Sequence, residues 1–331
     1  MSDNSMDPFA DINLEKLSKS LIKYIRKELN QKSADYLESP VRLTGGYDTL
    51  ICRFELKGVE EHLARPSVLR VFDERRSYQA YFEGTVQNAL ADQGYPVPAV
   101  YFTCMDENVL GNTFIIMDYI EGETLDKLNM PIDQLITILG KTHAQLHRLD
   151  PKPVIEKITK SGVNNRFISY EGRLERLLTS VNMNYPWLKN VLEWLYENRP
   201  DNPDVLSICH GDFHPMNILS KSGEIQAVLD WSNFLIGDPA MDVAFTLALI
   251  SPAKLLFPDL DMAQLKDIYL KAYRDTRPLD EKNIAYYSAA KSIQALRDGA
   301  EGQLIWQHPE IVQLLVAFIY ETTNIIIEIP S

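Results

Sequence analysis

The chain has 331 residues, of which 45% are hydrophobic and 24% are charged, proportions that are typical of a globular protein and argue against a disordered one. This length exceeds what one hydrophobic core usually holds, so two lobes or domains are expected. Lys and Arg number 33 against 46 Asp and Glu, a net charge of −13, and this balance argues against a nucleic acid or an anionic membrane as the main partner.

The first 120 residues predict an N-terminal helix and a small β-rich lobe. Leucine and isoleucine recur every three or four positions between Leu14 and Leu29, the pattern of an amphipathic helix. In chain order there follow strand-like runs at residues 41–43, 49–56 and 67–72, a helical pattern at 78–93, and strand-like runs at 100–104 and 113–119. The sequence therefore divides here into a helical segment at residues 1–38 and a small lobe at residues 39–120.

Beyond Gly122 the periodicity becomes helical. The helical patterns cover residues 132–149, 170–182, 188–197, 262–275, 283–296 and 309–327. A strand-loop-strand segment at residues 206–231 interrupts them. We therefore expect a large, mostly helical lobe at residues 121–331, and a nucleotide would be expected in the cleft between two such lobes.

The interrupting segment concentrates the polar groups that phosphoryl transfer requires. The sequence HGDFHPMN occupies residues 210–217, and Asp230 follows thirteen residues after Asn217. In phosphoryl transfer one carboxylate must orient the substrate hydroxyl, and a second carboxylate with a neutral oxygen donor suits Mg²⁺. Asp212, Asp230 and Asn217 supply this set.

HGDFHPMN, together with LDWSNFLIGDPAMD at residues 229–242, resembles the catalytic and metal loops of the aminoglycoside phosphotransferase family, which includes choline-kinase-like relatives. The resemblance implies an α+β, protein-kinase-like two-lobe fold, in which the small lobe has an antiparallel sheet and one main helix, and the large helical lobe carries both loops and the substrate pocket. It implies that Asp212 is the catalytic base and that Asn217 and Asp230 bind Mg²⁺. Asp238 and Asp242 match a segment that braces the catalytic loop, so a capping or bracing role is expected for them.

The small lobe extends the resemblance to the nucleotide. A turn similar to the family's nucleotide-covering loop, with a plain hairpin turn as the alternative, is formed by Gly45, Gly46, Tyr47, Asp48 and Thr49. Arg70 stands where many relatives place a phosphate-contacting lysine, and choline-kinase-like members use arginine there. A cation within an apolar strand needs a partner, and the resemblance implies Glu83. The family's hinge, whose main chain would bind the purine of ATP or GTP, resembles the segment with Met117, Asp118 and Ile120.

Several histidines lie near these motifs. His143 and His147 have a spacing that can bind zinc, but no third ligand is evident and helix packing is the preferred interpretation. His210 is expected to hold the loop backbone, and the role of His214 stays open.

The sequence thus predicts an ATP- or GTP-dependent small-molecule O-phosphotransferase that requires Mg²⁺. A protein kinase is less favoured because Asp230 is followed by Trp231 and not by Phe-Gly, and a catalytically inactive nucleotide-binding scaffold is the remaining alternative. The acidic composition suggests a cationic acceptor, an aminoglycoside or a smaller amino alcohol, with Asp298 and Glu301 as possible substrate residues. The alternative is that the charge serves solubility and that these two side chains cap a helix or face solvent.

The cysteines indicate a reducing compartment. Cys52, Cys104 and Cys209 are isolated from one another and have neither disulfide nor zinc spacing. No signal peptide is recognisable, and no stretch reaches the ~20 apolar residues that span a bilayer. We therefore expect a cytoplasmic protein that binds neither membranes nor nucleic acids.

Overall fold

The structure is a computed structural model that describes residues 8–43, 49–162, 164–201, 203 and 205–329. Gly45, Gly46, Tyr47 and Asp48 lie outside the described residues. The chain forms two compact units. Met1–Glu123 with Leu219–Ser232 is called the β-rich unit here, and Thr124–Ile218 with Asn233–Ser331 is called the helical unit.

The described residues form ten strands and eleven α-helices, together with short 3₁₀ turns. The strands are β1 (Asp35–Arg42), β2 (Thr49–Lys57), β3 (Pro66–Phe72), β4 (Val100–Cys104), β5 (Phe114–Asp118), β6 (Glu123–Thr124), β7 (Ser207–Cys209), β8 (Ile218–Lys221), β9 (Glu224–Val228) and β10 (Leu235–Gly237). The helices are α1 (Leu14–Glu28), α2 (Gln79–Ala91), α3 (Ile132–Leu146), α4 (Lys152–Lys160), α5 (Tyr170–Asn184), α6 (Lys189–Glu197), α7 (Pro239–Ile250), α8 (Ala253–Leu256), α9 (Met262–Arg274), α10 (Ile284–Ala300) and α11 (Pro309–Thr323).

The β-rich unit is built on an antiparallel five-stranded sheet with the order β1-β2-β3-β5-β4. This order places β3 in the middle of the sheet, and all of its residues except Pro66 are buried. The helix α1 starts at Asn13, whose side chain accepts a hydrogen bond from Lys16 N at 2.9 Å. Its apolar residues join the core of the sheet, in which Leu21 and Ile25 pack with Phe54. The predicted helix, five strands and inserted helix are confirmed.

The division of the chain differs from the sequence-based one at two segments, and the boundary expected after residue 120 lies after Glu123. The sequence analysis separated residues 1–38 from the small lobe and placed 219–232 in the helical lobe, whereas the structure groups both with the β-rich unit. The physical reason at the first place is the burial of α1 against the sheet. At the second place, Val228 N donates to Pro96 O at 2.8 Å, which ties β9 to residues of the small lobe.

The helical unit contains α3 to α11 and the antiparallel pair β7 and β10. The long helices follow their predicted ranges to within a few residues. The helix α11 stops at Thr323, short of the predicted residue 327, because Asn324 takes a left-handed φ of 57°. The helix α7 was not singled out from the sequence, because nearly all of its side chains are buried and it lacks an amphipathic period. None of the described helices is long and apolar enough to cross a membrane.

Candidate active site

The predicted catalytic loop follows β7 in the helical unit. This strand is completely buried and ends at Cys209, so the chain leaves the core just before Asp212. Gly211 has a φ of +78°, and a Cβ atom there would lie 2.2 Å from the backbone oxygen of Asn233. Only glycine fits this turn without displacing the neighbouring segment, which fixes the position from which Asp212 extends.

Asp212 is held by groups of its own loop. Its amide N–H donates to His210 Nδ1 at 3.2 Å, and its backbone oxygen accepts a hydrogen bond from Asn217 Nδ2 at 3.0 Å. The carboxylate Oδ2 lies 3.6 Å from His214 Nε2, and 26% of the Asp212 side chain remains exposed. The carboxylate is therefore restrained but still accessible to a small molecule.

The pKa of the Asp212 carboxyl lies below its ordinary value. Burial acts to raise this pKa, but the nearby His214 and the positive charge of Lys291 outweigh burial. Asp212 is consequently ionised at neutral pH and can accept a hydrogen bond from a hydroxyl group.

Asn217 has the chemistry of a neutral metal ligand. Its Nδ2 group donates to the backbone oxygen of Asp212 at 3.0 Å, and this bond sets the orientation of the amide. The Oδ1 atom is then the one that could bind a cation, and amide oxygens are ligands that Mg²⁺ accepts.

A buried carboxylate, Asp242 at the start of α7, binds the backbone of the same loop. It accepts hydrogen bonds from the amide N–H groups of His210 at 2.5 Å and Gly211 at 2.7 Å. It also contacts the Nε2 atoms of His143 at 2.9 Å and His147 at 3.2 Å. Burial opposes ionisation, but the two histidines hold the pKa of Asp242 well below its ordinary value. This geometry supports the loop-bracing role expected for Asp242.

His143 and His147 use their ring nitrogens in hydrogen bonds. The Nδ1 atoms lie 2.6 Å from the hydroxyl groups of Tyr269 and Tyr273, respectively, and the Nε2 atoms contact Asp242. The three side chains are close enough together to be considered for a metal ion, yet each ring nitrogen already has a hydrogen-bond partner. The contacts therefore support helix packing over zinc binding.

Asp238 caps α7, as the sequence suggests. Its Oδ1 atom accepts from Ala240 N at 2.8 Å. Its Oδ2 atom accepts from Tyr287 Oη at 3.2 Å and from Asn283 Nδ2 at 3.4 Å, two groups near the start of α10. Asp238 is thus a structural residue that joins two helices of the helical unit.

In the β-rich unit, Arg70 joins two carboxylates. It lies on the central strand β3 and is only 8% exposed. Its Nη1 atom lies 2.9 Å from Glu83 Oε2, at angles outside hydrogen-bond geometry, and its Nη2 atom donates to Asp230 Oδ1 at 3.0 Å. The structure therefore brings Arg70 and Glu83 together and adds Asp230, a contact that the sequence analysis did not anticipate.

This triad contains one perturbed carboxyl group. Burial raises the pKa of Glu83 to about 7, although the charge of Arg70 acts in the opposite direction. Burial also acts to lower the pKa of Arg70, but Glu83 and Asp230 outweigh it and the pKa is raised. Asp230 itself is 39% exposed, so a cation could reach it, and its carboxylate suits Mg²⁺.

The other predicted nucleotide residues of the described chain lie along the sheet. Thr49 opens β2 and is buried, Met117 and Asp118 end β5, and Ile120 is partly buried just after that strand. The amide N–H of Asp118 donates to Ala99 O at 3.0 Å, so this group is already used within the protein.

The two residues considered for a cationic acceptor lie at the end of α10. Asp298 is buried and paired with Arg297, whose Nε atom donates to Asp298 Oδ1 at 3.1 Å. Glu301 Oε1 lies 3.6 Å from the same Arg297 Nε. Their contacts therefore favour the alternative, in which neighbouring side chains take up these charges.

Two cations near Asp212 were missed by sequence reasoning. Lys291, on α10, and Arg173, on α5, both interact electrostatically with Asp212. Arg173 also donates a hydrogen bond from Nη2 to the backbone oxygen of Asn233. Neither lies in a motif, and a lone cation in a helical pattern does not indicate which distant residue it approaches in the folded chain.

Residues 42–281 match the family model of the phosphotransferase enzyme family. This range includes Arg70, Glu83 and both loops of residues 210–242.

Among curated proteins, acyl-CoA dehydrogenase family member 11 of Pongo abelii is 30% identical over 179 residues. The matched segment covers 51% of this chain and 23% of that protein, so the chain spans less than a quarter of the length of this relative.

Among solved structures, a candidate aminoglycoside phosphotransferase of Ralstonia eutropha JMP134 has a TM-score of 0.65 at 19% identity, covering 92% of this chain and 98% of that one. The aminoglycoside phosphotransferase APH(4)-Ia, in a ternary complex with ADP and hygromycin B, has a TM-score of 0.56 at 18% identity, with the same coverage of both chains. At sequence identities of 18–19%, the structural similarity to these two proteins establishes the fold alone.

Proposed function

Because the chain belongs to the phosphotransferase enzyme family, we propose that it transfers the γ-phosphoryl group of ATP or GTP to a hydroxyl group of a small molecule. The family assigned from the two loops, and the α+β, protein-kinase-like fold class, are confirmed. What we propose beyond this is the donor nucleotide, the use of Mg²⁺, the roles of individual residues and the class of acceptor.

One observation carries it: Asp212 is an ionised, partly exposed carboxylate on a loop whose backbone is anchored by the buried Asp242. In phosphoryl transfer the protein has little covalent chemistry to perform, so a fixed carboxylate that orients the attacking hydroxyl is the main requirement. Asp212 would accept the hydrogen bond of the acceptor hydroxyl and take its proton as the new O–P bond forms.

Mg²⁺ and the nucleotide fit the donor atoms available. The Oδ1 atom of Asn217 and the carboxylate of Asp230 are each a hard oxygen ligand of the kind that Mg²⁺ accepts, and Mg²⁺ would neutralise charge on the transferred phosphoryl group. Arg70, held by Glu83 at 2.9 Å, would provide a positive charge for the phosphates. The hinge segment around Ile120 would bind the purine through its main chain, with no side chain that selects ATP over GTP.

The acceptor is proposed only as a small molecule with a hydroxyl group. We do not retain the cationic acceptor expected from the net charge, because Arg297 already neutralises Asp298. We also propose a reducing compartment, the cytoplasm, since Cys52, Cys104 and Cys209 are all free thiols.

The test is nucleotide turnover against a library of hydroxyl compounds. ADP or GDP release would be measured with Mg²⁺ for the wild-type protein, for Asp212→Asn, and for Asp267→Asn, which changes an exposed acid on α9. We expect acceptor-dependent release that falls by at least ~100-fold in Asp212→Asn, the usual size of general-base effects, and is unchanged in Asp267→Asn.

Two results would contradict the proposal. Nucleotide binding without turnover across the library would identify an inactive scaffold. Equal turnover in the wild type and Asp212→Asn would show that Asp212 is not the base.

A further inference from the structure

Lys291 is a buried ammonium group without a partner in contact. Its side chain is 5% exposed, and its Nζ atom lies 5.2 Å from the centroid of the Phe245 ring on α7. Within the described part of the chain, no carboxylate lies within 4 Å of this Nζ atom and no hydrogen bond reaches it. An ammonium group removed from water requires a compensating anion, so the position is suited to an anion that the protein does not itself provide.

Asp212 and Asp298, the two carboxylates that interact electrostatically with Lys291, do not supply that anion. Burial lowers the pKa of Lys291, and the charges of Asp212 and Asp298 partly oppose this effect. Asp298 is already bound by Arg297 through two hydrogen bonds. Asp212 is associated with His214 and is proposed to bind the acceptor hydroxyl. Lys291 therefore lies near Asp212, the residue proposed to bind the acceptor hydroxyl, but its positive charge is not paired with either carboxylate.

The ammonium group of Lys291 is buried but not completely enclosed. Its Nζ atom makes no hydrogen bond, yet it is not among the described side-chain atoms that are both fully enclosed and without a hydrogen bond, as Arg70 Nε and Tyr170 Oη are. A part of the surface of Nζ is therefore not covered by protein atoms.

A second cation lies near the base. Arg173 interacts electrostatically with Asp212, and its guanidinium donates to the backbone oxygen of Asn233, beside the turn at Gly211. Of the other carboxylates within electrostatic range of the two cations, Asp242 is engaged with His143 and His147, and Asp298 with Arg297. Arg173 and Lys291 therefore add positive charge beside Asp212, which favours acids over amines there.

We propose that Lys291 binds an acidic group, a carboxylate or a phosphate, on the acceptor whose hydroxyl group is phosphorylated. The inference rests on the proposed function and specifies its substrate class as acidic hydroxyl compounds. Lys291 is then a specificity residue: its ammonium group pairs with the acid while Asp212 orients the hydroxyl of the same molecule.

The test compares three-carbon hydroxyl compounds that differ in charge: glycerate, glycerol 3-phosphate, glycerol and 3-amino-1,2-propanediol. ADP release with Mg-ATP gives kcat/KM, and calorimetric titration of the protein with Mg-ADP gives affinity for compounds that turn over slowly. We expect at least one acid to exceed glycerol and the amine by about 10- to 100-fold, the value of a hydrogen bond to a charged group.

Substitutions assign the preference to the residue. Lys291→Gln should remove the preference for acids, and Lys291→Glu should reverse it towards the amine. Lys291→Arg should keep it, so a folded and active protein is available even if Lys291→Glu does not fold. Lys266→Glu, at an exposed lysine on α9, is the matched control and should leave the preference unchanged.

Three results overturn the inference. The first is that neither acid exceeds glycerol and the amine in kcat/KM or in affinity. The second is that the preference for acids survives in Lys291→Gln. The third is that Lys291→Gln lowers kcat/KM for all four compounds by the same factor, which would mean that the ammonium group acts on the transferred phosphoryl group instead. If the first result is found, an Asp212-dependent release of ADP with glycerol or the amine would still support the proposed kinase function. No such release with any compound of the wider hydroxyl library would refute the kinase function itself.

Discussion

Asp242 Oδ2 lies 3.2 Å from His147 Nε2, and both side chains are completely buried. The same carboxylate binds the amide N–H groups of His210 and Gly211. One ionised group on α7 therefore connects His147, which directly follows α3, to the backbone that precedes Asp212. This arrangement requires the histidine to donate from Nε2 and makes its protonation state important for stability.

The first prediction concerns the pH dependence of unfolding. Burial and the neighbouring His143 lower the pKa of His147 to about 3, although Asp242 opposes the shift. The imidazole of an unfolded chain has a pKa of about 6.5, so unfolding below this pH takes up a proton. The stability that the neutral His147 contributes is therefore fully present above about pH 6.5 and is lost as the pH falls, by up to about 1.4 kcal/mol per pH unit.

Urea unfolding between pH 6.5 and 5, above the range in which most carboxylates titrate, measures this slope. His147→Gln keeps a donor for Asp242 but does not titrate, and it should flatten the dependence. His62→Gln, at an exposed histidine, should keep the wild-type slope. Equal slopes in the wild type and His147→Gln would refute the assignment.

The second prediction concerns Glu83, whose carboxylate lies 2.9 Å from Arg70. Glu83→Ala leaves the buried guanidinium with Asp230 as its remaining carboxylate partner, so we expect KM for the nucleotide to rise about 10-fold or more, the value of a bond to a charged group. Because the pKa of Glu83 is about 7, Glu83→Gln resembles the protonated form and should have a smaller effect.

Steady-state kinetics at saturating acceptor, with Glu61→Ala as a control at an exposed position, separates these outcomes. An unchanged KM in Glu83→Ala would mean that the ion pair does not position Arg70 for the nucleotide.

The sequence was informative where the chemistry is local. The loop of residues 210–217 and the turn at Asp238 are each continuous in sequence, so the family resemblance can be read from them directly. That resemblance implied a capping or bracing role for Asp238, and the structure shows it as the cap of α7, a helix that the sequence analysis did not single out. Long helices could be predicted equally well, because the periodic spacing of apolar residues along one face of a helix such as α1 is visible in the sequence itself.

The remainder depends on tertiary contacts. The pairing of His143 with Asp242 joins residues 99 positions apart, and the contact of Arg70 with Asp230 joins residues 160 apart. Nothing in the period or composition of α10 indicates that Asp298 is paired and that Lys291 is not, because Arg297 binds Asp298 only in the folded chain.

The third prediction concerns Asp230 and Mg²⁺. Removing a carboxylate ligand should weaken binding of the Mg²⁺-nucleotide more than binding of the free nucleotide. Asp230 has a φ of 61°, a conformation that asparagine tolerates better than alanine. Asp230→Asn is therefore the cleaner variant, and it should abolish most of the gain in affinity that Mg²⁺ confers.

Calorimetric titration of ATP with and without Mg²⁺ measures that gain. Asp126→Asn, at an exposed acid, should retain it in full, and Asn217→Ala should lose a part of it because water can replace a neutral ligand. A wild-type response to Mg²⁺ in Asp230→Asn would refute metal binding by this residue.

The last prediction tests whether the turn at Gly211 positions Asp212. Gly211 and Gly94 have nearly the same left-handed backbone, with φ values of +78° and +76°, but different surroundings. A Cβ atom at Gly94 meets nothing within 4 Å, whereas a Cβ atom at Gly211 would lie 2.2 Å from Asn233 O. Gly94→Ala should therefore cost only the strain of the left-handed conformation, about 1–2 kcal/mol of unfolding free energy, and should keep full turnover. Gly211→Ala carries the same strain and must also displace the loop, and a shift of about 1 Å at a reacting group can lower the rate by ~100-fold. ADP release by the two variants, compared at equal fractions of folded protein, isolates the displacement from the strain. Similar turnover in both would mean that the loop adjusts to the added methyl group and that the close approach of Gly211 to Asn233 does not control the position of Asp212.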